Sequence, residues 1–283
     1  MQQSTPSSSS YLAVLLVLCA EVLIYCSASW AKHLFPVVGA EGVTTYRLFF
    51  SAAVLALVSR PWQKPIPRDE WRPHLLFGVG LGGMFLFSYA AIRYVPLGIS
   101  VGVQMLGPLV IALAASRRPR DFAWVGLAAA GIWLLLRPDA VGLVDMRGVA
   151  LAGAAAGCWA TYIWFGKAAC ARDCCAALAL AMFTGGVATL PLSLVTVGGA
   201  LLESSSLLFG LLLALSSAAV PCLLEMQALR RITPKVYGTL MSLAPAVAAL
   251  MGCFWLDEQL SAGQWGGIAS VVAASAGMTL AAE

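Results

Sequence analysis

The chain has 283 residues, of which 60% are hydrophobic and only 11% are charged, and its mean hydropathy is +0.87. Soluble domains carry about 25% charged residues, so this composition excludes an ordinary water-soluble protein. The net charge of +4 does not indicate nucleic-acid binding, because the basic residues lie in separate short segments and form no continuous stripe. The composition predicts an integral membrane protein.

Ten apolar segments of membrane-spanning character follow one another along the chain. Eight contain no Asp, Glu, Lys or Arg, and the other two carry one charge each, Glu21 in span one and Arg47 in span two. A bilayer core of about 30 Å takes about 20 helical residues to cross. The segments show no ten-residue alternation, so helices are predicted and not barrel strands. Spans one to ten cover residues 11–31, 42–59, 75–92, 94–116, 122–136, 148–166, 174–202, 204–224, 236–256 and 259–282.

Lysine and arginine are distributed unevenly between the connections on the two sides of the membrane. Twelve lie in or beside the even-numbered connections and four in the odd-numbered ones. Because loops rich in Lys and Arg stay in the cytoplasm, both termini are predicted to be cytoplasmic. Residues 1–10 are uncharged and rich in serine, so they are predicted to form a disordered N-terminus before a retained first span, and not a secretory signal.

The two halves of the chain resemble each other at an offset of 137 residues. Over residues 88–113 and 225–250, this offset pairs Arg93 with Arg230 and Pro108 with Pro245. Each half, 11–145 and 146–283, contains five spans, and because five is odd the second half is inverted in the membrane. Inverted repeats are typical of secondary transporters. The predicted fold is therefore all-α, with ten transmembrane helices in a 5+5 inverted-topology repeat.

Three prolines are predicted to interrupt spans: Pro108 in span four, Pro221 in span eight and Pro245 in span nine. A proline inside a helix frees the carbonyl group four residues earlier, which for Pro221 is that of Ser217. Interrupted helices at equivalent positions of two repeats indicate a substrate site near the bilayer midplane, so Pro108 and Pro245 are interpreted as functional breaks. Pro221 on its own also fits a kink that only affects packing.

Three ionisable residues lie inside or at the end of predicted spans: Glu21, Arg47 and Glu225. Such a group costs at least ~2.5 kcal/mol at the bilayer centre, so each is expected to face a polar interior. Glu21, Tyr25 and Ser29 recur at every fourth position and predict a polar stripe on span one. Arg47 also fits an interfacial anchor that reaches water. Burial favours the protonated form of a carboxyl group, which makes Glu225 and Glu21 candidates for proton coupling.

Aromatic residues and glycines are candidates for the walls of a cavity and for helix contacts. Tyr89 in span three, and Trp159 and Tyr162 in span six, are candidate walls, with simple packing as the alternative. Glycine pairs at 78 and 82, 98 and 102, and 153 and 157 predict close helix contacts. Three cysteines, at 170, 174 and 175, fall on the predicted cytoplasmic side without a further ligand, so no metal or other cofactor is expected.

Eight short motifs occur in a characteristic order: AKHLFP at 31–36, VPLGI at 95–99, GP at 107–108, SRRP at 116–119, CWATYI at 158–163, LEM at 224–226, GTLMS at 238–242 and LAPA at 243–246. With these motifs the chain resembles the threonine and homoserine exporter branch of the EamA-type drug/metabolite transporter superfamily, from about residue 28 to residue 280. The positions that match the family pattern are Arg47, Tyr89, Pro108, Trp159, Tyr162, Glu225, Pro245 and Glu258.

The resemblance implies a ten-helix protein of the bacterial inner membrane that exports small amino acids by alternating access and is coupled to protons. Two positions depart from the family pattern: Gln104 stands in place of an acidic residue, and Phe85 in place of a polar amide. Glu225 is therefore expected to hold a substrate ammonium and to carry protons, with Glu21 as the second candidate carrier. Arg47 is expected to attract the substrate carboxylate or to pair with Glu225, and Gln104 to hydrogen-bond the substrate.

The sequence thus predicts a secondary active transporter whose partners are a small-molecule substrate, protons and membrane lipid. Export of another metabolite or of a drug stays open, because a fold does not determine its ligand. A membrane-embedded enzyme is less well supported. Its acid/base or metal chemistry needs clustered side chains, whereas the two histidines, His33 and His74, fall on opposite sides of the predicted membrane.

Overall fold

The computed structural model describes residues 8–63, 66–67, 70–115, 121–137, 144–202, 204–229 and 231–281. Over these residues the chain is almost entirely helical and forms no β-strand, which confirms the predicted all-α fold. Of the disordered N-terminus predicted at 1–10, residues 1–7 lie outside the described residues, and residues 8–10 form the start of a helix. Six basic residues that support the predicted orientation also lie outside the described residues, namely Lys64, Arg68, Arg117, Arg118, Arg120 and Arg230.

Thirteen α-helices are formed within the described residues, and several begin at a side-chain cap. The Asp145 carboxylate accepts a hydrogen bond from the N–H of Arg147, and the Asp173 carboxylate accepts one from the N–H of Ala176. The helices are α1 (Ser8–Ala31), α2 (Phe35–Ser59), α3 (Trp71–Ala91), α4 (Leu97–Gln104), α5 (Leu106–Ala115), α6 (Asp121–Leu136), α7 (Met146–Ala169), α8 (Cys174–Thr196), α9 (Ser204–Ala214), α10 (Val220–Leu229), α11 (Pro234–Met241), α12 (Ala244–Leu256) and α13 (Ala262–Ala281).

Spans four and nine are interrupted at equivalent positions. The first interruption falls at Met105, between α4 and α5, and the second at Ser242 and Leu243, between α11 and α12. The offset of 137 residues that aligns the two halves also places α4 on α11, residue for residue at both ends. The helix breaks predicted from Pro108 and Pro245 are therefore present.

Pro221 does not end its helix. Residues Leu215–Ala219 form a π-helical turn that joins α9 to α10 without interruption. In a π turn the hydrogen bonds join residues five positions apart instead of four. The helix can therefore widen at this point and continue past Pro221, which has no N–H. The break predicted at Pro221 is thus corrected to a widened helical turn.

Seven helical stretches of the described residues are long and apolar enough to cross a bilayer. The first, Tyr11–Ser59, has 49 residues, enough for two crossings, and is interrupted by a 3-10 turn at Lys32–Leu34 and by Gly39 at a φ of +63°. Phe122–Leu136 is apolar but shorter. Large apolar side chains such as Val195 and Phe254 are exposed on the outer faces of the helices, as lipid contact requires. The chain is a multi-pass integral membrane protein.

Helices from the N-terminal and C-terminal parts of the chain pack against one another throughout the bundle. The α3 helix packs against α7 and α8, α2 packs against α8, and α6 packs against α13. The α1 helix packs against α10 and α12, and α4 also packs against α12. All eight residues of α4 are buried. The α4 part of the interrupted helix therefore lies inside the bundle, whereas α5 is only partly buried and exposes Val110.

Glycines bring two pairs of helices into close contact. A Cβ atom at Gly82 of α3 would lie 2.7 Å from backbone atoms of Gly185 of α8, and one at Gly98 of α4 would lie 2.6 Å from the Cβ of Ala249 of α12. These contacts confirm the close helix packing predicted for the glycine pair at 78 and 82 and for the pair at 98 and 102. The contact predicted at Gly153 and Gly157 is wrong, because both glycines are exposed and no atom lies within 4 Å of the Cβ position.

Replacement of Gly82 by alanine is expected to destabilise the protein. The new methyl group would overlap the backbone of α8, and overpacking of this kind costs about 1–3 kcal/mol. Thermal unfolding of the detergent-solubilised protein would measure the loss. Gly153→Ala is the matched control, because its methyl group meets no atom within 4 Å. Equal unfolding temperatures for the two variants would contradict the expectation.

Candidate functional site

Arg47 lies in the interior of the bundle and joins three parts of the chain. Its Nη1 donates a hydrogen bond to the hydroxyl of Tyr89 (2.9 Å), and its Nη2 donates one to the backbone carbonyl of Ser217 (2.8 Å). The guanidinium carbon lies 3.9 Å from the ring centroid of Phe85, in cation–π geometry. Only 6% of Arg47 is exposed. The alternative that Arg47 is an interfacial anchor is therefore wrong.

The carbonyl group that Arg47 binds is the one that Pro221 leaves without a helical partner. Because Pro221 has no N–H, the carbonyl of Ser217 cannot make the usual hydrogen bond to the residue four positions later. The Arg47 guanidinium supplies the missing donor from α2. The π turn of the second half of the chain is thereby fastened to α2 and α3 of the first half.

The predicted polar stripe of α1 points into the bundle. Glu21 is 1% exposed, Ser29 is fully buried, and Tyr25 is partly buried against the main hydrophobic core. The Oε2 atom of Glu21 and the Oγ atom of Ser29 have no hydrogen-bond partner in the structure. A buried polar atom without a partner costs about 1–3 kcal/mol, so the interior of the bundle contains polar groups that a ligand or water can satisfy.

Glu225 of α10 lies in the same polar region as Glu21. It is partly buried, accepts a hydrogen bond from the hydroxyl of Tyr237 of α11, and lies within electrostatic range of Glu21. Tyr25 lies within electrostatic range of Glu21, Arg47 and Glu225. Among the described residues, no ion pair joins Arg47 to Glu225. The structure therefore does not contain the pairing of these two residues that was considered as an alternative.

Gln104 uses both ends of its side-chain amide inside the protein. Its Oε1 accepts a hydrogen bond from the hydroxyl of Ser88 on α3 (2.6 Å), and its Nε2 donates one to the hydroxyl of Ser100 on α4 (3.0 Å). Gln104 is buried at the last position of α4, next to the helix break. It therefore ties α3 to α4, and it would have to exchange one of these bonds to bind a substrate.

The three candidate aromatic residues occupy different surroundings. Tyr89 is buried and belongs to the Arg47 cluster, while Trp159 packs against the main hydrophobic core that includes Tyr89. Tyr162 stacks on Phe77 of α3, with ring centroids 4.7 Å apart and an interplanar angle of 19°. Packing between α3 and α7 therefore explains the position of Tyr162.

Tyr237 contributes to this region but was not predicted from the sequence, and for the freed carbonyl of Ser217 the sequence analysis did not predict the donor. Tyr237 lies among ordinary apolar residues, and the partner of the Ser217 carbonyl, Arg47, is 170 residues away in the chain. One signal was available for Tyr237, because the 137-residue offset places it on Ser100, a direct partner of Gln104. The repeat thus puts a hydroxyl group at the same position of both interrupted helices.

Metal ligation receives no support from the described part of the chain. No group of three or more His, Cys, Asp or Glu side chains there has the arrangement that would hold a metal ion. The sulfur atoms of Cys170 and Cys174 lie 3.0 Å apart at the turn between α7 and α8, within hydrogen-bond distance.

Within the part of the chain that the structure describes, four buried side-chain atoms lack a hydrogen-bond partner: Oε2 of Glu21, Oγ of Ser29, Nε of Arg47 and Oγ of Ser217. They include a carboxyl oxygen on α1 and a guanidinium nitrogen on α2, and Tyr25 lies within electrostatic range of both side chains. A carboxylate can bind the ammonium group of a zwitterion, and a guanidinium N–H can bind its carboxylate group. The arrangement suits the binding of a small molecule with separate ammonium and carboxylate groups.

Comparisons with known proteins agree with this architecture. Residues 146–280 match the model of the EamA-like transporter family. The threonine/homoserine exporter RhtA of Salmonella typhimurium LT2 is 41% identical over 281 residues, which is 99% of this chain and 95% of the exporter. The threonine/homoserine exporter RhtA of Escherichia coli K12 is 41% identical over 271 residues, 95% of this chain and 92% of the exporter.

One solved crystal structure shares the fold. It superposes with a TM-score of 0.63 over 95% of this chain and 97% of its own, at 20% sequence identity. The identity to the exporters extends over nearly the whole length of both chains, so it covers the helices that carry Glu21, Arg47 and Glu225. The chain is therefore a membrane transporter and not an enzyme, and it belongs to the EamA-like transporter family, in the branch of the threonine/homoserine exporters.

Proposed function

We propose that the protein is a secondary active transporter that exports threonine-like and homoserine-like amino acids across the bacterial inner membrane in exchange for protons. The names of its relatives support the substrate class. The single observation that carries the proposal is a pair of buried atoms without a hydrogen-bond partner in the bundle interior, the carboxyl Oε2 of Glu21 and the guanidinium Nε of Arg47. They are complementary to the ammonium and carboxylate groups of an amino acid.

In the proposed binding mode, the substrate ammonium lies between Glu21 and Glu225, whose carboxylates are within electrostatic range of each other. The Nε atom of Arg47 donates to the substrate carboxylate, while the Nη atoms keep their bonds to Tyr89 and Ser217. Tyr89 and Trp159 line the site. Gln104 contacts the substrate hydroxyl by releasing Ser88 or Ser100.

Two carboxyl groups that interact electrostatically in a low-dielectric interior favour a state in which at least one is protonated or neutralised by a cation. A substrate ammonium and a proton therefore compete for the Glu21 and Glu225 pair. Release of the substrate on one side leaves the pair free to take up a proton. This competition provides the proposed exchange of amino acid for proton.

We propose a topology of ten spans in which residues 11–145 and 146–283 form two five-helix repeats of opposite orientation, with both termini in the cytoplasm. The coincidence of α4 and α11 at the 137-residue offset supports the repeat. The packing partners support it as well, since α3 packs against α7 as α10 packs against α1. The interrupted helices α4 and α12 touch at the centre, so rocking of one repeat against the other gives alternating access.

Counterflow in proteoliposomes tests the proposal. Vesicles loaded with unlabelled threonine or homoserine are expected to accumulate labelled threonine in a saturable manner and to respond to an imposed proton gradient, whereas protein-free vesicles should not. A thermal-shift screen that includes nucleotide sugars and cationic dyes provides the comparison. Stabilisation by one of these compounds, without counterflow of any amino acid, would instead favour the export of another metabolite or drug.

A further inference from the structure

Glu258 lies in the linker between α12 and α13 and binds two other parts of the chain with its two carboxylate oxygens. Oε1 forms an ion pair with the Nζ of Lys32, which follows α1, at 2.8 Å. Oε2 accepts a hydrogen bond from the backbone N–H of Leu97, the first residue of α4, at 2.8 Å. The Glu258 side chain is only 10% exposed. We call these three groups the outer clasp.

The outer clasp is closely packed. A Cβ atom at Gly252 would overlap the Oε2 atom of Glu258, so α12 leaves space for the carboxylate only because this residue is glycine. The carboxylate also accepts from the N-terminus of α4, where the helix dipole favours a negative charge. Both interactions fix the carboxylate in one orientation.

Lys32 of the outer clasp directly follows α1, the helix that carries Glu21, and the clasp joins the two proposed repeats. Lys32 follows the buried stripe of Ser29, Tyr25 and Glu21 and lies eleven positions after Glu21, which is ~16 Å along the helix axis. Lys32 and Leu97 belong to the first proposed repeat and Glu258 to the second. A rocking motion that opens the site at this end must therefore break the clasp.

We propose that the outer clasp of Glu258, Lys32 and the Leu97 N–H is the gate that closes the substrate pathway at the extracytoplasmic end. The proposal rests on the proposed function, because it assigns the clasp to a transport cycle. A second ion pair at the same end, between Arg93 and Glu41 at 3.2 Å, lies entirely within the first repeat. It does not have to break when the repeats move, and it therefore provides a matched control.

The sequence repeat indicates why the chain rests with this end closed. The 137-residue offset places Leu97 on Pro234, the first residue of α11, and Glu258 on Asp121, the first residue of α6. Pro234 has no N–H, so the equivalent groups at the cytoplasmic end lack the backbone donor that Leu97 supplies. The cytoplasmic end therefore has no counterpart of the hydrogen bond that the Leu97 N–H donates in the outer clasp.

Chemical labelling of a buried cysteine tests the gate. Ser29→Cys introduces a thiol at a fully buried position three residues before Lys32. The full-length protein is reconstituted in vesicles, and a membrane-impermeant methanethiosulfonate is added on the extracytoplasmic side. Adding Glu258→Gln, which removes the ion pair, is expected to increase the labelling rate about tenfold. Adding Glu41→Gln is expected to leave the rate unchanged. The same protein without Ser29→Cys measures labelling of the native cysteines.

A second pair of variants isolates the backbone donor. Leu97→Pro removes the N–H, and the backbone accepts it because Pro96 has φ −53° and ψ 147° and proline is favoured in the first helical turn. Leu97→Ala removes the same side-chain packing but keeps the N–H. Faster labelling of Ser29→Cys with Leu97→Pro than with Leu97→Ala is expected. Equal rates for these two, or no effect of Glu258→Gln, would overturn the gate.

The labelling result and the transport result can fail separately. If counterflow of amino acids occurs and Glu258→Gln does not change labelling, the gate is excluded while the proposed function stands. If no amino acid is transported but labelling increases as expected, the substrate assignment fails and the clasp still controls access to the interior. Size-exclusion profiles that match the parent protein would show that the variants are folded.

Discussion

Replacement of Arg47 by alanine is expected to lower the free energy of unfolding by about 1–3 kcal/mol for each buried polar group that it leaves without a partner. The substitution removes the donors for Tyr89 and for the Ser217 carbonyl, together with the cation that lies over Phe85. The Ser217 carbonyl then has no donor from the helix either, because Pro221 lacks an N–H. Thermal or denaturant unfolding of the detergent-solubilised protein would measure the effect.

A double-mutant cycle with Pro221 separates this cause from a general loss of packing. Alanine at 221 supplies an N–H within reach of the Ser217 carbonyl, so Arg47→Ala is expected to cost less in a Pro221→Ala background than in the native protein. Tyr89→Phe, which removes only one hydrogen bond, should cost about 1 kcal/mol. Strictly additive effects of the 47 and 221 substitutions would contradict the proposed role of Arg47.

The sequence predicted the helical class and the broken helices because both depend on local chemistry. Long apolar segments in lipid must satisfy their own backbone groups, and a proline inside such a segment removes one N–H from the helix. The chain is interrupted beside Pro108 and Pro245, whereas α8 continues through Pro191 and a π turn precedes Pro221 without a break. Both kinds of evidence can be read within about twenty residues. The matching breaks beside Pro108 and Pro245 followed directly.

Features that depend on distant partners were predicted less well. The role of Arg47 required knowledge that Ser217, 170 residues later, packs beside α2, and no local pattern contains that information. Periodicity gave little help, because lipid and protein interior are both apolar and a helix needs no strong polar face. The contact at Gly153 failed for the same reason, since a glycine spacing does not say whether a helix or lipid covers it.

The candidate site was predicted in part. The stripe of Glu21 and Ser29 was recognised by its four-residue spacing, and both residues are buried. The internal bonds of Gln104 could not be foreseen, because its partner Ser88 lies on another helix. Glu258 was known only as a match to a family pattern, and its two contacts reach residues 161 and 226 positions away.

Replacement of Glu225 by glutamine is expected to abolish the response of amino-acid counterflow to a proton gradient. The amide has nearly the same size and can still accept from Tyr237, but it carries no exchangeable charge. Loss of a charge-assisted contact with the substrate ammonium should also reduce apparent affinity by roughly 10- to 100-fold. Saturable counterflow at several imposed proton gradients would measure both effects.

Glu21→Gln distinguishes the two carboxylates of the pair. Glu21 has an oxygen without any donor, whereas Glu225 already accepts from Tyr237, so the substrate ammonium should depend more on Glu21 and the proton more on Glu225. The larger loss of affinity is therefore expected for Glu21→Gln, and the larger loss of proton dependence for Glu225→Gln. Tyr237→Phe keeps both carboxylates and should retain proton-dependent counterflow. If counterflow of Glu225→Gln keeps its full proton dependence, the coupling is assigned to Glu21 alone. If counterflow of both Glu225→Gln and Glu21→Gln keeps its full proton dependence, the coupling lies outside this pair.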